Sequence, residues 1–105
     1  MLLGDVAHVR TGDKGETSQI SVIAYDPADF ALLAREVTEV RVARHLGHLP
    51  IRQATRYELP ELGALNFVLD GALAGGVTRS LALDAHGKTI GAHLLDLPIG
   101  EEEPA

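Results

Sequence analysis

An α+β fold, a mainly antiparallel sheet with helices on one face, follows from three features of this sequence. Short β-branched apolar runs flank a glycine-rich polar segment near the start. A capped stretch at helical spacing comes next, and two further apolar runs near the end surround a glycine turn. The sheet face away from the helices must then be solvated or covered by another subunit.

Taken in order, residues 4–10 and 18–25 read as an antiparallel strand pair, carried by Val6, Ala7 and Val9, then Ile20, Val22, Ile23 and Ala24. Asp26 suits an N-cap, Pro27 the first helical position and Asp29 the electropositive first turn. Phe30, Leu33 and Val37 recur at helical spacing. Thr38 is a second cap, followed by Val40, Ala43 and a stop near Gly47, so 27–47 holds two short helices or one bent helix. Residues 52–59 alternate around Thr55, Tyr57 and Leu59 and end at Pro60, as a third strand. The next run suits two states. Leu62, Leu65, Val68, Leu69, Ala72 and Leu73 match helical spacing, yet 66–69 alone suits a strand; Gly75-Gly76 supplies a helix stop, which favours a helix over 62–73. Residues 77–83 and 89–97 predict a hairpin about Asp84-Ala85-His86-Gly87-Lys88, with Gly87 left-handed. Asp84 and Lys88 are read as turn residues. Leu81, Leu83, Leu94, Leu95 and Leu97 are more leucine than one solvated hairpin needs, so a homo-oligomer is expected. One domain spans 1–99, and 100–105, with Glu101-Glu102-Glu103, is read as an acidic disordered tail.

With 105 residues there is one core and little room for a separate cofactor domain, so a sizeable site would be shared with another chain. Tyr25, Phe30, Tyr57 and Phe67 are the only aromatics, which leaves the core to Leu, Val, Ile and Ala. A net charge of -6 argues against nucleic acid or an anionic membrane as partner. The absence of Cys removes disulfides, a thiol nucleophile and thiolate metal sites, as suits a reducing cytoplasm. Met1-Leu2-Leu3 runs at once into Gly4-Asp5, without a signal peptide or spanning stretch, so a soluble cytoplasmic protein is expected.

The segment Arg10-Thr11-Gly12-Asp13-Lys14-Gly15-Glu16-Thr17-Ser18 concentrates glycines, charges and hydroxyls. With Gly12 and Gly15 at positive φ, successive N–H groups would form an anion-binding concavity, to which Arg10, Lys14, Thr17 and Ser18 add donors. The other reading is a polar hairpin loop held by an Asx-type turn at Asp13. It is no P-loop, because Gly15 leads through Glu16 into a strand. Asp13 as a general base and Lys14 as an electrostatic stabiliser are the catalytic candidates. Asn66 interrupts an apolar run and either caps backbone or touches a ligand. Gly75, Gly76, Arg79 and Ser80 form either a second anion-binding turn or a helix stop before an exposed strand. His45 and His48 could share a helix face, but His8, His86 and His93 lie on other elements, so no metal and no cofactor is expected.

Three pieces of this chain resemble the ferredoxin-like domain of the AtuA family, named for acyclic terpene utilisation. They are Arg10-x-Gly12-Asp13-Lys14-Gly15; Leu65-Asn66-Phe67-Val68-Leu69 with Gly71-Ala72-Leu73-x-Gly75-Gly76; and Ser80-Leu81-x-Leu83-Asp84-x-x-Gly87-Lys88. The resemblance as a whole extends over about residues 5–97. The resemblance implies a ferredoxin-like sandwich, without an iron–sulfur cluster because the thiolates are missing. In that family the domain follows a larger catalytic-type domain or stands as a separate small protein. It therefore implies acyclic terpenoid or acyl-CoA catabolism, with a larger AtuA-type protein as partner.

Two functional readings follow. In the first the chain is an accessory subunit, non-catalytic alone, that docks on the larger protein and helps bind a carboxylate or acyl-CoA anion through Arg10, Gly12, Lys14, Gly15, Ser18, Asn66, Gly75, Gly76, Arg79 and Ser80. In the alternative, a homo-oligomer is a small-molecule enzyme acting on a carboxylate or CoA thioester, with Asp13 and Lys14 at an intersubunit site.

Overall fold

Alternating burial along two adjacent central strands sets the architecture. The computed structural model describes residues 1–47, 49–72 and 88–100. Strands β1 (Ala7–Lys14) and β2 (Thr17–Ala24) lead into a short 3-10 turn (Pro27–Asp29) and helices α1 (Phe30–Glu36) and α2 (Glu39–His45). Strands β3 (Gln53–Leu59) and β4 (Ala64–Asp70) and helix α3 (Lys88–Leu94), with short 3-10 turns at Leu3–Asp5 and Pro60–Leu62, complete the described elements. The strands form one antiparallel sheet in the order β1-β2-β4-β3.

Moving β1 from the front of this order to its end turns strand-strand-helix-strand-strand-helix into the strand-helix-strand-strand-helix-strand pattern of ferredoxin-like domains. The chain ends agree with such a cyclic shift. Leu2 bridges to Pro98, the Leu3 N–H donates to the Leu97 carbonyl at 2.8 Å, and the Gly4 N–H to Leu95 at 2.9 Å. The α+β class and ferredoxin-like arrangement expected above are those of the molecule.

Local chemistry builds the first half as expected. The Asp26 carboxylate accepts from the Ala28 N–H at 2.9 Å with Pro27 behind it, and the Thr38 hydroxyl accepts from the Arg41 N–H at 3.2 Å. Each satisfies an orphan donor, worth about 1 kcal/mol. The break between these caps makes two helices of the 27–47 stretch.

Two expectations fail. The run 62–73 is not a helix: 64–70 is strand β4, a central one, with Leu65, Phe67 and Leu69 fully buried at period two. Residues 89–97 are not a strand. Ile90 and Leu94, four apart, are buried from α3, and the chain then turns through Leu95 and Asp96. The 77–83 strand and the turn residues Asp84 and Gly87 lie outside the described residues. Leu94 and Leu97 belong to the chain's own core, so they supply no apolar face for association.

That core joins Ile20 and Val22 of β2 and Leu65, Phe67 and Leu69 of β4 to Leu33, Val42 and Leu94 of the three helices. Each such side chain contributes about 1.5–3 kcal/mol by leaving water. The three described helices therefore cover one sheet face. Gly91 lets α3 lie close to β1, since a Cβ there would stand 2.7 Å from Thr11 Cγ2 and 3.1 Å from Val9 Cγ2.

Candidate functional site

Side chains alternate across a strand, so the pairing register sorts the polar residues onto two faces. Ile20, Val22, Leu65, Phe67 and Leu69 face the helices with Val9, Thr11 and Asp13 of β1. The other face carries Arg10, opposite Ser21; Ser21, opposite Asn66; and Asn66, opposite Tyr57. One residue from each of the four strands thus lines up across the open face.

Within this row the Ser21 hydroxyl donates to Asn66 Oδ1 at 3.1 Å. That bond orients the amide and leaves its Nδ2 protons for another acceptor. Arg10 is exposed and its guanidinium has no partner among the described residues; Tyr57 is 53% exposed at the far edge. Arg10 and Asn66 stand two strand spacings apart, about 10 Å, a span a long guanidinium arm can shorten. Half-buried Ile23 and Val68 flank the row, so donors sit in a mixed apolar and polar surface. At one end His8 stacks on Tyr25 with ring centroids 5.3 Å apart. The arrangement offers hydrogen-bond donors to an anion and pairs no nucleophile with a base.

The glycine segment is built differently from the expected concavity. Pairing runs to Lys14 and Thr17, so the reversal is a two-residue turn of Gly15 and Glu16, with Gly15 at φ 63. Gly12 is mid-strand opposite Gln19, and the N–H groups of 11–14 follow strand alternation. The Asx-type loop is likewise replaced by strand. Arg52 anchors the turn from across the sheet, donating to Glu16 Oε1 at 2.9 Å and to Asp70, which also accepts from the Thr17 hydroxyl at 3.3 Å. The two carboxylates beside it raise the Arg52 pKa, Glu16 foremost.

Of the residues singled out in the sequence, Arg10, Gly12, Lys14 and Asn66 share the open face. Asp13 and Lys14, adjacent in one strand, point to opposite faces, so a general base and an electrostatic stabiliser at these positions do not share one face of the sheet within the chain. Ser18 is fully buried on the helix side and its hydroxyl has no hydrogen-bond partner among the described residues, so it is no surface donor. Gly75, Gly76, Arg79 and Ser80 lie outside the described residues. Ser21 and Tyr57 were missed; the period-two pattern of 17–24 and 53–59, continued across the register, is the signal that could have found them. His45 and His93 stack with ring centroids 4.7 Å apart, and His45 Nε2–H donates to the His93 carbonyl at 2.9 Å; His48 lies outside the described residues. Among the described residues no three metal-ligating side chains cluster, and no helix is long and apolar enough to cross a membrane.

Set against known proteins, residues 1–100 match the model of one family, described as the AtuA ferredoxin-like domain. The chain matches none of the curated proteins and none of the solved structures.

Proposed function

The chain belongs to the AtuA ferredoxin-like domain family, and on that premise we propose that it is an accessory subunit that docks on a larger AtuA-type protein in acyclic terpenoid or acyl-CoA catabolism. The observation that carries this reading is the open sheet face. Ile23, Val68, Asn66 and Ser21 are half-buried and Tyr57 is exposed, while the three helices pack on the other side. Such a face suits a partner better than a reaction, because among the described residues it holds a row of donors and pairs no nucleophile with a base. In the docked state Arg10 and the Asn66 amide supply donors to a carboxylate or acyl-CoA anion at the boundary between the two proteins. This role places the protein in the cytoplasm.

The test is affinity purification of the tagged chain from its native host, with the co-purifying chains identified by mass. A stoichiometric larger AtuA-type chain is expected with the wild type and absent with Tyr57→Asp, whose circular dichroism is unchanged. Recovery of the chain without such a partner, or of the same partner with Tyr57→Asp and Asn66→Ala alike, overturns the reading.

A further inference from the structure

The backbone at the outer edge of β1 has hydrogen-bonding capacity that the sheet leaves unused. The two-residue turn makes Lys14 and Thr17 a hydrogen-bonded pair, so alternation turns the N–H and C=O groups of residues 8, 10, 12 and 14 toward β2. At the other end the Tyr25 N–H donates to the Val6 carbonyl at 2.9 Å, in phase with this. The corresponding groups of Val9, Thr11 and Asp13 therefore point away from the sheet, and none has a partner among the described residues. Beside them runs a groove of about 470 Å³ between β1 and α3, lined by Val9, Thr11, Gly91, Ala92 and Leu95. An open strand edge next to a helix is the geometry that accepts an added strand.

Charge decides the occupant. On the open face of β1 stand Arg10 and Lys14, four residues apart, with Gly12 between them and nothing within 4 Å of a Cβ placed there. A second copy pairing antiparallel through the outward groups would set even-numbered residues against even-numbered ones. Arg10 and Lys14 would then meet His8, Arg10, Gly12 or Lys14 of the other copy, and no carboxylate of either strand would lie on that face. Self-pairing is opposed by like charge. We propose that the free edge of β1 is a strand-addition site for an extended acidic segment of a partner protein, whose two carboxylates, four residues apart, face Arg10 and Lys14. A large side chain midway covers Gly12, as aromatic residues do over strand glycines. The intervening residues face the groove, with a donor such as Thr opposite Asp13. The proposal stands on the strand edge and shares only Arg10 with docking by the sheet face.

The probe is the blocked, fluorescein-labelled hexapeptide Glu-Thr-Tyr-Val-Glu-Val, compared with its twin bearing Lys at both Glu positions, titrated into the full chain by anisotropy. Saturable binding of the Glu peptide is expected, about tenfold or more tighter than the Lys peptide and weakened by salt. Amide exchange slows at Val9, Thr11 and Asp13. Thr11→Pro removes an outward N–H that the ladder does not use, and it abolishes binding with circular dichroism unchanged. Arg10→Glu combined with Lys14→Glu inverts the preference, which keeps the test decisive should Thr11→Pro fail to fold. Tyr57→Asp leaves peptide binding intact, so the two readings fail separately. Absence of binding, equal affinity for both peptides, or indifference to the charge inversion overturns the proposal. So does a concentration-dependent dimer that Thr11→Pro dissolves, which would assign the edge to a second copy.

Discussion

At β3 the outward Arg56 N–H is taken by Glu39 Oε2 at 2.7 Å, and the Arg56 guanidinium reaches the Ala34 and Val37 carbonyls at 2.7 and 2.9 Å. At β1 the outward groups of Val9, Thr11 and Asp13 have no described partner, and α3 lies close to the strand at Gly91, beside the Val9 and Thr11 methyl groups. One edge of the sheet is thus clamped by charge-assisted hydrogen bonds to the end of a helix, and the other is left to packing. The clamped edge satisfies the last carbonyls of α1, an architectural task. The outward groups of β1, without a partner among the described residues, are the ones the strand-addition proposal uses.

This contrast can be broken from either side. Arg56→Met removes the clamp and strands two partly buried carbonyls, so urea unfolding should show a loss of about 2–3 kcal/mol. On the packed side, Gly91→Ala pushes a methyl against Thr11 and Val9. Overpacking there should cost about 1–2 kcal/mol in the same assay. Thr38→Ala, which uncaps α2, should cost about 1 kcal/mol and lower the thermal midpoint accordingly.

Glu36 sharpens the comparison by pH. Its hydrogen bond from Arg35 most of all, then the Gly100 N–H and Arg41, hold its carboxyl below the usual value against a smaller opposing effect of desolvation. A depressed folded pKa means that the stabilisation is complete above the ordinary carboxylate value and is lost as pH falls through the lower folded value. Urea midpoints should therefore favour the wild type over Glu36→Gln at neutral pH and converge in acid. The smallest effect belongs to the open edge: Arg10→Met should leave stability within about 0.5 kcal/mol while weakening anion binding.

Several elements were legible because their causes are local. The caps at Asp26 and Thr38 act over two or three residues, and the β1–β2 hairpin closes on Gly15. The 64–70 run was misread because Leu62, Leu65, Val68 and Leu69 satisfy helical spacing while Leu65, Phe67 and Leu69 satisfy strand spacing. The presence of strands on both sides decides between them. Residues 88–94 were misread because Thr89 and Ile90 follow the turn signal at Gly87, although Ile90 and Leu94 already carried the helical spacing. The candidate site was half legible. Arg10 and Asn66 drew notice as isolated polar residues, but Ser21 and Tyr57 join them only through the register.

The α+β class, the hairpin at the start, the helix caps at Asp26 and Thr38 and the third strand are written locally, because their signals lie within a few residues of one another. Long-range contacts set that 64–70 is a central strand, that Ser18 is buried, that Asp13 and Lys14 part to opposite faces, and that one edge of the sheet is clamped while the other has no partner among the described residues. Each of those outcomes depends on hydrogen bonds or packing between residues distant in the chain, whose partners become defined only when the sheet has assembled.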